Sequence, residues 1–497
     1  MELGRFNIGR SDDRFLVVLA SSIGVAIAAA ALMIPFPFMG DQALFTVFAR
    51  MLNGGATLYR DLWDVKQPGI FWFYEVAGRV FSPDELGAHL LDAMVWIGAS
   101  IWLAFGMRHH VQRKWVAALL PIACAAWYFL VADTNELTQV ESLISPMLAG
   151  MMVLLADRDD HRAPPLSVFV AGLLGGVILG FKLLAGLIPL VVLLASILLW
   201  RRAARDWRTT IRGLVLPYAV GAAIPVAAVV VWIIANNLVD VLRFAWFEYP
   251  PQMLGAQTRP LSRLATSASE FALSYATIGT FALWRLIRPG KRGRSLTWIL
   301  VAGCTTTVLV ILLQLWWSYL FFALAAPVAL LAIQGIDDLL DARRGVLATA
   351  AMVAILGLVP FGAKALFKVT HFDGYDHPDR TWASGYERAL SASEEADFVA
   401  GSRLYVLGDP LVLYQLEANQ GEPVNGWSPE FWTTGLWARV TDDLVQTPVE
   451  GLFLRDDLRQ MAGERYPSFE ISISHVYEPR ISTPEGEWLF PIRPNPE

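Results

Sequence analysis

Long apolar runs separated by short charged connections dominate the chain. A helix needs about 20 consecutive apolar residues to cross the hydrocarbon core of a bilayer. Runs of that kind fall near 15–36, 86–107, 115–131, 141–156, 165–181, 183–200, 213–235, 270–287, 296–313, 320–335 and 345–362. The pattern predicts an α-helical polytopic membrane protein with about eleven transmembrane helices. The first run is preceded by basic residues and followed by no small-residue cleavage site, which favours a retained span over a removed signal peptide.

Between the first two runs the pattern changes. Residues 41–52 are amphipathic and end at Asn53-Gly54-Gly55, a helix-stop signal. A second apolar-aromatic piece, GIFWFYEVAGRVF, follows Pro68. Both suit interfacial helices lying in the first outer loop. After about residue 363, charges, prolines and turns appear, with apolar patches in RLYVLGDPLVLYQL, VEGLFLRDDL and SFEISISHVY. Short β-like runs alternating with helical ones predict a C-terminal α/β domain, so the chain divides into a membrane domain at 1–362 and an extracytoplasmic domain at 363–497.

Composition agrees: 55% of the 497 residues are hydrophobic and 17% charged, and the mean hydropathy is +0.46. A soluble domain carries about 25% charged residues. The net charge of −6 says less than its distribution. Arg5, Arg10 and Arg14 precede the first span, and Arg108, Arg113 and Lys114 follow the second. Arg158 and Arg162 follow the fourth, five arginines from Arg201 to Arg212 the sixth, Arg285 to Arg294 the eighth, and Arg343 and Arg344 the tenth. All fall on one side, which the positive-inside rule makes cytoplasmic. The N-terminus is then inside, and the outside receives 37–85, 132–140, 236–269 and everything after 363. A multi-pass membrane protein with an extracytoplasmic C-terminal domain is the expectation. Cys124 and Cys304 each lie in an apolar run and read as small buried hydrophobes.

Ionisable groups at a membrane face are costly and mark candidate sites. Asp41 stands at the exit of the first span with no charged neighbour in sequence. Arg50, Arg60, Asp61, Asp64 and Lys66 follow it, and the arginines also suit snorkelling to lipid phosphates. In Lys66-Gln67-Pro68, proline stiffens the backbone beside a cation. Lys182 is isolated between two apolar runs: at a helix end it is ordinary, buried it needs an anion. Glu141 either caps the fourth span's N-terminus or faces a cavity with Asp41, with Glu136 as its competitor. Arg243, Arg259 and Arg263 sit among aromatics and prolines, while Gln314 and Tyr319 lie in an aromatic belt. The run HFDGYDHPDR holds His371, Asp373, Asp376, His377 and Asp379, which lack regular metal-ligand spacing and read better as a polar linker. No Walker loop, dinucleotide fingerprint or basic nucleic-acid stripe is present.

An aspartate just after the first span, followed by GGATLYRDLWDVKQPGIFWFY, resembles the GT-C fold family of multi-span glycosyltransferases that use polyprenyl-phosphate sugars. The lipid A aminoarabinose transferases and protein O-mannosyltransferases belong to it. VESL, GFKLLAG, WSYLFFALAAPVALLA and the tail RLYVLGDPLVLYQLEANQGEP extend the resemblance over nearly the whole chain. It implies an inverting glycosyltransferase that moves a hexosyl or pentosyl unit from a polyprenyl-phosphate donor to an extracytoplasmic glycan, lipid or protein acceptor. Asp41 is then the general base, with Glu141 orienting the acceptor or Lys66. Lys66, Lys182 and an arginine among Arg60, Arg243, Arg259 and Arg263 meet the leaving phosphate. Tyr59, Asp61, Asp64, Gln67, Gln314 and Tyr319 line the substrate pocket. No cofactor and no catalytic metal are expected, and no nucleic-acid partner.

The sequence departs from that family in two places. Gln42 stands where a second acid often follows the aspartate, and Gln67-Pro68 replaces a pair of prolines. A lipid-linked saccharide transporter is the competing class, but it expects midplane charges and repeat symmetry; here the charges collect at one face. A non-catalytic envelope scaffold has no reason to cluster Asp41, Lys66 and Lys182.

Overall fold

The computed structural model describes residues 10–156, 163–202, 206–257, 259–342, 344–370 and 383–492. They fall into two compact units, both discontinuous in sequence. The first takes residues 1–35, 89–230 and 259–372; the second takes 36–88, 231–258 and 373–497. Arg158, Arg162, Arg343 and the histidine-aspartate run from His371 to Asp379 lie outside the described residues.

Among the described residues, seven helices are long and apolar enough to cross a membrane: Asp13–Met33, Glu85–Met107, Lys114–Val131, Leu184–Arg202, Trp207–Ala235, Arg294–Leu312 and Ser318–Leu339. Four shorter apolar helices accompany them, Val140–Leu155, Pro165–Phe181, Ala276–Ile287 and Ala351–Leu366. Each expected span falls on one of these, so the polytopic helical architecture stands. The run at 270–287 does not form one continuous helix. It breaks at Tyr275, between helices Leu261–Ser274 and Ala276–Ile287, and the Ser274 carbonyl accepts a hydrogen bond from Trp127 Nε1 at 2.9 Å.

Within the first unit, apolar helices pack through small residues, as expected where lipid offers no hydrophobic drive. A Cβ on Gly172 would lie 2.1 Å from the Tyr218 carbonyl, and one on Gly221 equally close to that of Phe169. One charged knot ties the bundle. Arg285, 1% exposed, donates to Asp338 Oδ2 at 2.6 Å, Thr297 Oγ1 at 2.9 Å and the Arg292 carbonyl at 2.7 Å. A buried guanidinium is tolerable because its donors are answered.

The second unit carries a five-stranded sheet. Its strands are β1 (Arg403–Leu407), β2 (Asn419–Gln420), β3 (Gly451–Arg455), β4 (Tyr477–Thr483) and β5 (Gly486–Pro491), in the order β2-β1-β3-β5-β4. β1 is parallel to β2 and β3, while β5 runs antiparallel to β3 and β4. Leu404 to Leu407 are all buried, as suits a strand covered on both faces. The SFEISISHV patch alternates in sequence like a strand, yet forms helix Ser468–Val476 with Phe469 and Ile473 buried one turn apart. Residues of the two earlier stretches complete this core: Trp63, Ala245 and Tyr249 pack with Tyr405, Trp437, Leu452 and Phe469. Both helices expected in the first outer loop are present, Gly40–Asn53 and Pro68–Val80. The former is buried from Gln42 through Ala49, inside the unit and not along one face.

Candidate functional site

Asp41 occupies the first turn of helix Gly40–Asn53, where the positive end of the helix dipole favours a carboxylate. Gln42 does the capping: its Oε1 accepts from Met39 N at 2.9 Å, the reach-back usual for a glutamate at that position. The missing second acid is thus replaced by an uncharged cap, and Asp41 remains the charge of this turn. Its side chain is 18% exposed.

Lys66 answers it from the far end of the loop. The Lys66 Nζ lies 3.3 Å from Asp41 Oδ1 and 3.6 Å from Asp64 Oδ1, and 5.1 Å from the centre of the Phe45 ring. Local turns fix that position. Lys66 N donates to Asp64 Oδ1 at 2.9 Å, and Tyr59 OH donates to the Lys66 carbonyl at 2.6 Å. Tyr59 itself has φ of 70°, a left-handed conformation unusual for a bulky residue. Gln67, extended as the residue before a proline must be, precedes helix Pro68–Val80 with proline in its first turn.

The C-terminal stretch closes the group. Trp63 N donates to the Pro423 carbonyl at 2.7 Å. Asn425 Nδ2 donates to the Trp63 carbonyl at 3.1 Å and to Asp64 Oδ2 at 3.3 Å. Asn425 Oδ1 accepts from Trp427 N at 3.2 Å, and Trp427 Nε1 donates to Asp41 Oδ1 at 3.0 Å. The contacts form a ring: Asp41, Lys66, Asp64, Asn425, Trp427 and back to Asp41. The Trp427 indole also fills the space beside Gly40, where a Cβ would meet it at 2.3 Å.

The other expected residues make contacts of their own. Arg60 and Asp61 are exposed and bonded to Thr57, at Oγ1 by 3.3 Å and at N by 2.7 Å respectively. Arg243, 73% exposed, pairs with Glu248 at 2.7 Å. In the first unit Lys182 donates to Glu141. The lysine that has no acid near it in sequence therefore receives one from helix Val140–Leu155. Arg259 and Arg263 stand over the rings of Trp316 and Trp317, 5.7 and 4.5 Å from their centres. Gln314 donates to the Val310 carbonyl of its own helix at 3.0 Å, and Tyr319 packs beside Ile311 and Leu320. Glu136 is buried, and its Oε2 accepts from Asp133 N at 2.9 Å. Burial, then the charge of Asp133, pushes its carboxyl up to about 7.

Asn425 and Trp427 are absent from the sequence expectations, as is Lys364, which bonds Asp133 at 2.9 Å. The Asn-Gly turn of VNGW was the available signal for the first two. Among the described residues, no group of three or more His, Cys, Asp or Glu side chains is arranged to hold a metal ion.

The architecture is that of the GT-C fold. No protein-family model matches the chain, and no curated protein does. Solved structures do. ArnT from Cupriavidus metallidurans bound to undecaprenyl phosphate superposes with a TM-score of 0.58 at 12% identity, over 95% of this chain and 97% of that one. The same protein in its apo state gives 0.55 at 11% identity with the same coverage. The archaeal oligosaccharyltransferase AglB from Archaeoglobus fulgidus gives 0.49 at 13% identity, over 96% of this chain and 74% of that one.

Proposed function

We propose that the chain is an inverting glycosyltransferase that takes its sugar from a polyprenyl-phosphate donor. The observation that carries this reading is the Asp41–Lys66 pair at 3.3 Å, a base and a phosphate-binding cation presented side by side. The fold supports it, because the similar ArnT structure holds undecaprenyl phosphate.

In this reaction the acceptor oxygen attacks the anomeric carbon and the bond from that carbon to the phosphate oxygen breaks. The polyprenyl phosphate leaves with the bonding electron pair, and the acceptor proton passes to Asp41. One displacement inverts the anomeric centre. Lys66 meets charge growing on the leaving phosphate, and Phe45 beneath it keeps the ammonium oriented. Tyr59 and Asp64 act on Lys66 by fixing its backbone. The charge distribution supports an acceptor on the outer side, and a cysteine at Glu464, which is exposed, should label in intact cells; labelling only after lysis overturns that sidedness.

The decisive experiment compares wild-type and Asp41→Asn membranes for transfer of label from the polyprenyl-phosphate sugar pool. Transfer should fall by about 10²–10⁴-fold. Normal transfer by Asp41→Asn rules out the base assignment. Mass spectrometry of the co-purifying lipid then names the donor.

A further inference from the structure

The carboxyl ends of the parallel strands hold groups that this reaction has not yet used. After β1 the chain turns to β2 on one side, whereas after β3 it runs through helices Asp456–Arg465 and Ser468–Val476 to β4 at the far edge on the other. Departing in opposite directions, the two connections open a crevice between the ends of β1 and β3. Open parallel α/β sheets take their ligands at such a switch point. Asp409 follows β1 by two residues, and Arg455 ends β3.

The segment 424–427 crosses over this crevice. Gly408 N donates to the Gly426 carbonyl at 3.2 Å, and a Cβ on Gly426 would lie 1.9 Å from the Val406 carbonyl. Only glycine lets the chain pass so low over β1. That low pass delivers Trp427 onto Asp41, 3.0 Å from indole nitrogen to carboxylate. Gly408, Pro410, Asn425 and Gly426 are buried, while Asp41, Lys66, Asp409 and Trp427 keep access to solvent. The accessible groups are therefore those with chemistry to offer.

Asp409 uses Oδ1 to accept from Leu411 N at 3.0 Å, and its other oxygen has no donor among the described residues. Removal from water pushes Asp409 up to about 6; the Asp41 charge adds to this, while the Leu411 amide and Arg455 pull the other way. Arg455 is committed to Asp457, with bonds of 2.6 and 2.9 Å.

We propose that this crevice is the acceptor subsite, with the Trp427 indole as its platform and Asp409 as the group that orients the acceptor hydroxyl toward Asp41. The ligand class is an uncharged sugar hydroxyl. An indole face suits the apolar face of a sugar ring, and carboxylates accept from its hydroxyls. Asp41 and Asp64 flank the Lys66 ammonium, and Asp409 adds a further carboxylate beside Asp41, so an anionic acceptor is disfavoured. The C-terminal residues then take part in choosing the acceptor.

This inference rests on the transferase reading, and one experiment separates the two. Native membranes holding the full chain receive the tritium-labelled polyprenyl-phosphate sugar fraction extracted from the producing cells. Label transferred to acceptor and label released to water as free sugar are both measured. Asp409→Asn should lower the ratio of transfer to release about tenfold or more, and Asp409→Glu should restore part of it. A ratio unchanged in Asp409→Asn overturns the inference, whether the two rates fall together or stay at wild type. A wild-type protein that neither transfers nor releases label overturns the transferase reading, and the acceptor subsite with it.

Discussion

Lys66 and Asp41, 25 positions apart in sequence, meet as an ion pair with 3.3 Å between Nζ and Oδ1. Each is held by a different element: the aspartate by a helix start, the lysine by a turn that proline terminates. In the proposed reaction the donor phosphate would compete with two carboxylates for the same ammonium, since Asp64 lies 3.6 Å away.

Lys66→Ala should therefore weaken binding of undecaprenyl phosphate by about 10–100-fold, the scale of a lost charge-assisted contact. Lys66→Arg should retain part of the affinity. Titration of the purified protein with undecaprenyl phosphate reads this directly, and equal affinity in Lys66→Ala removes the lysine from the phosphate site.

Gly40→Val places branched carbons where the Trp427 ring already stands, 2.3 Å from the first of them, at a φ of +24°. The indole must move, and its bond to Asp41 goes with it. Transfer should fall at least tenfold while the Tm falls by only a few degrees, the mark of a displaced side chain and not of a lost fold. Full activity in this variant means that the indole bond is dispensable.

Glu141 and Lys182 are a largely buried pair, with 5% and 21% side-chain exposure. Removing one partner leaves the other uncompensated, and each single alanine variant should cost about 3 kcal/mol of stability. The double variant Glu141→Gln with Lys182→Met should recover much of that loss. Thermal unfolding in detergent shows whether the two effects couple; strict additivity would mean that the pair is not an energetic unit.

Glu422 makes the second unit sensitive to pH. It is buried beside the core, and burial, followed by the charge of Asp443, pushes its carboxyl up to about 7 against the opposing pull of Arg403. The folded chain then holds a proton that the unfolded chain has released. This contribution is complete below about 4.5 and is lost as the pH rises through about 7. Glu422→Gln should add on the order of 1 kcal/mol of stability at pH 8 and none at pH 5, read as a higher Tm at the first value alone. The same Tm difference at both values would mean that the group does not titrate in this range.

Apolar length made the helices legible, and the helix at Gly40 was legible from its amphipathic pattern and its Asn53-Gly54-Gly55 stop. Asp41 and Lys66 stood out because charge at a span exit is costly. Trp427 did not stand out, because its role depends on a glycine-permitted crossing of β1 hundreds of residues from Asp41. Lys182 has no acid near it in sequence, and only helix packing supplies Glu141 as its partner. The patch SFEISISHV alternates like a strand but is helical, because Phe469 and Ile473, four apart, are its residues that reach the core.

The hydrogen bond from Trp63 to Pro423 has a consequence for biogenesis. Trp63 and Asn425 are separated by 362 positions, so the loop bearing Asp41 and Lys66 is synthesised long before the segment that locks it. Through most of translation that loop waits with its aromatic side chains uncovered, and chains that stall late are aggregation-prone. A premature stop after the last membrane helix would leave every expected span intact and still dismantle the ring around Asp41. Loss-of-function truncations in the final hundred residues are, in effect, lesions of the first loop.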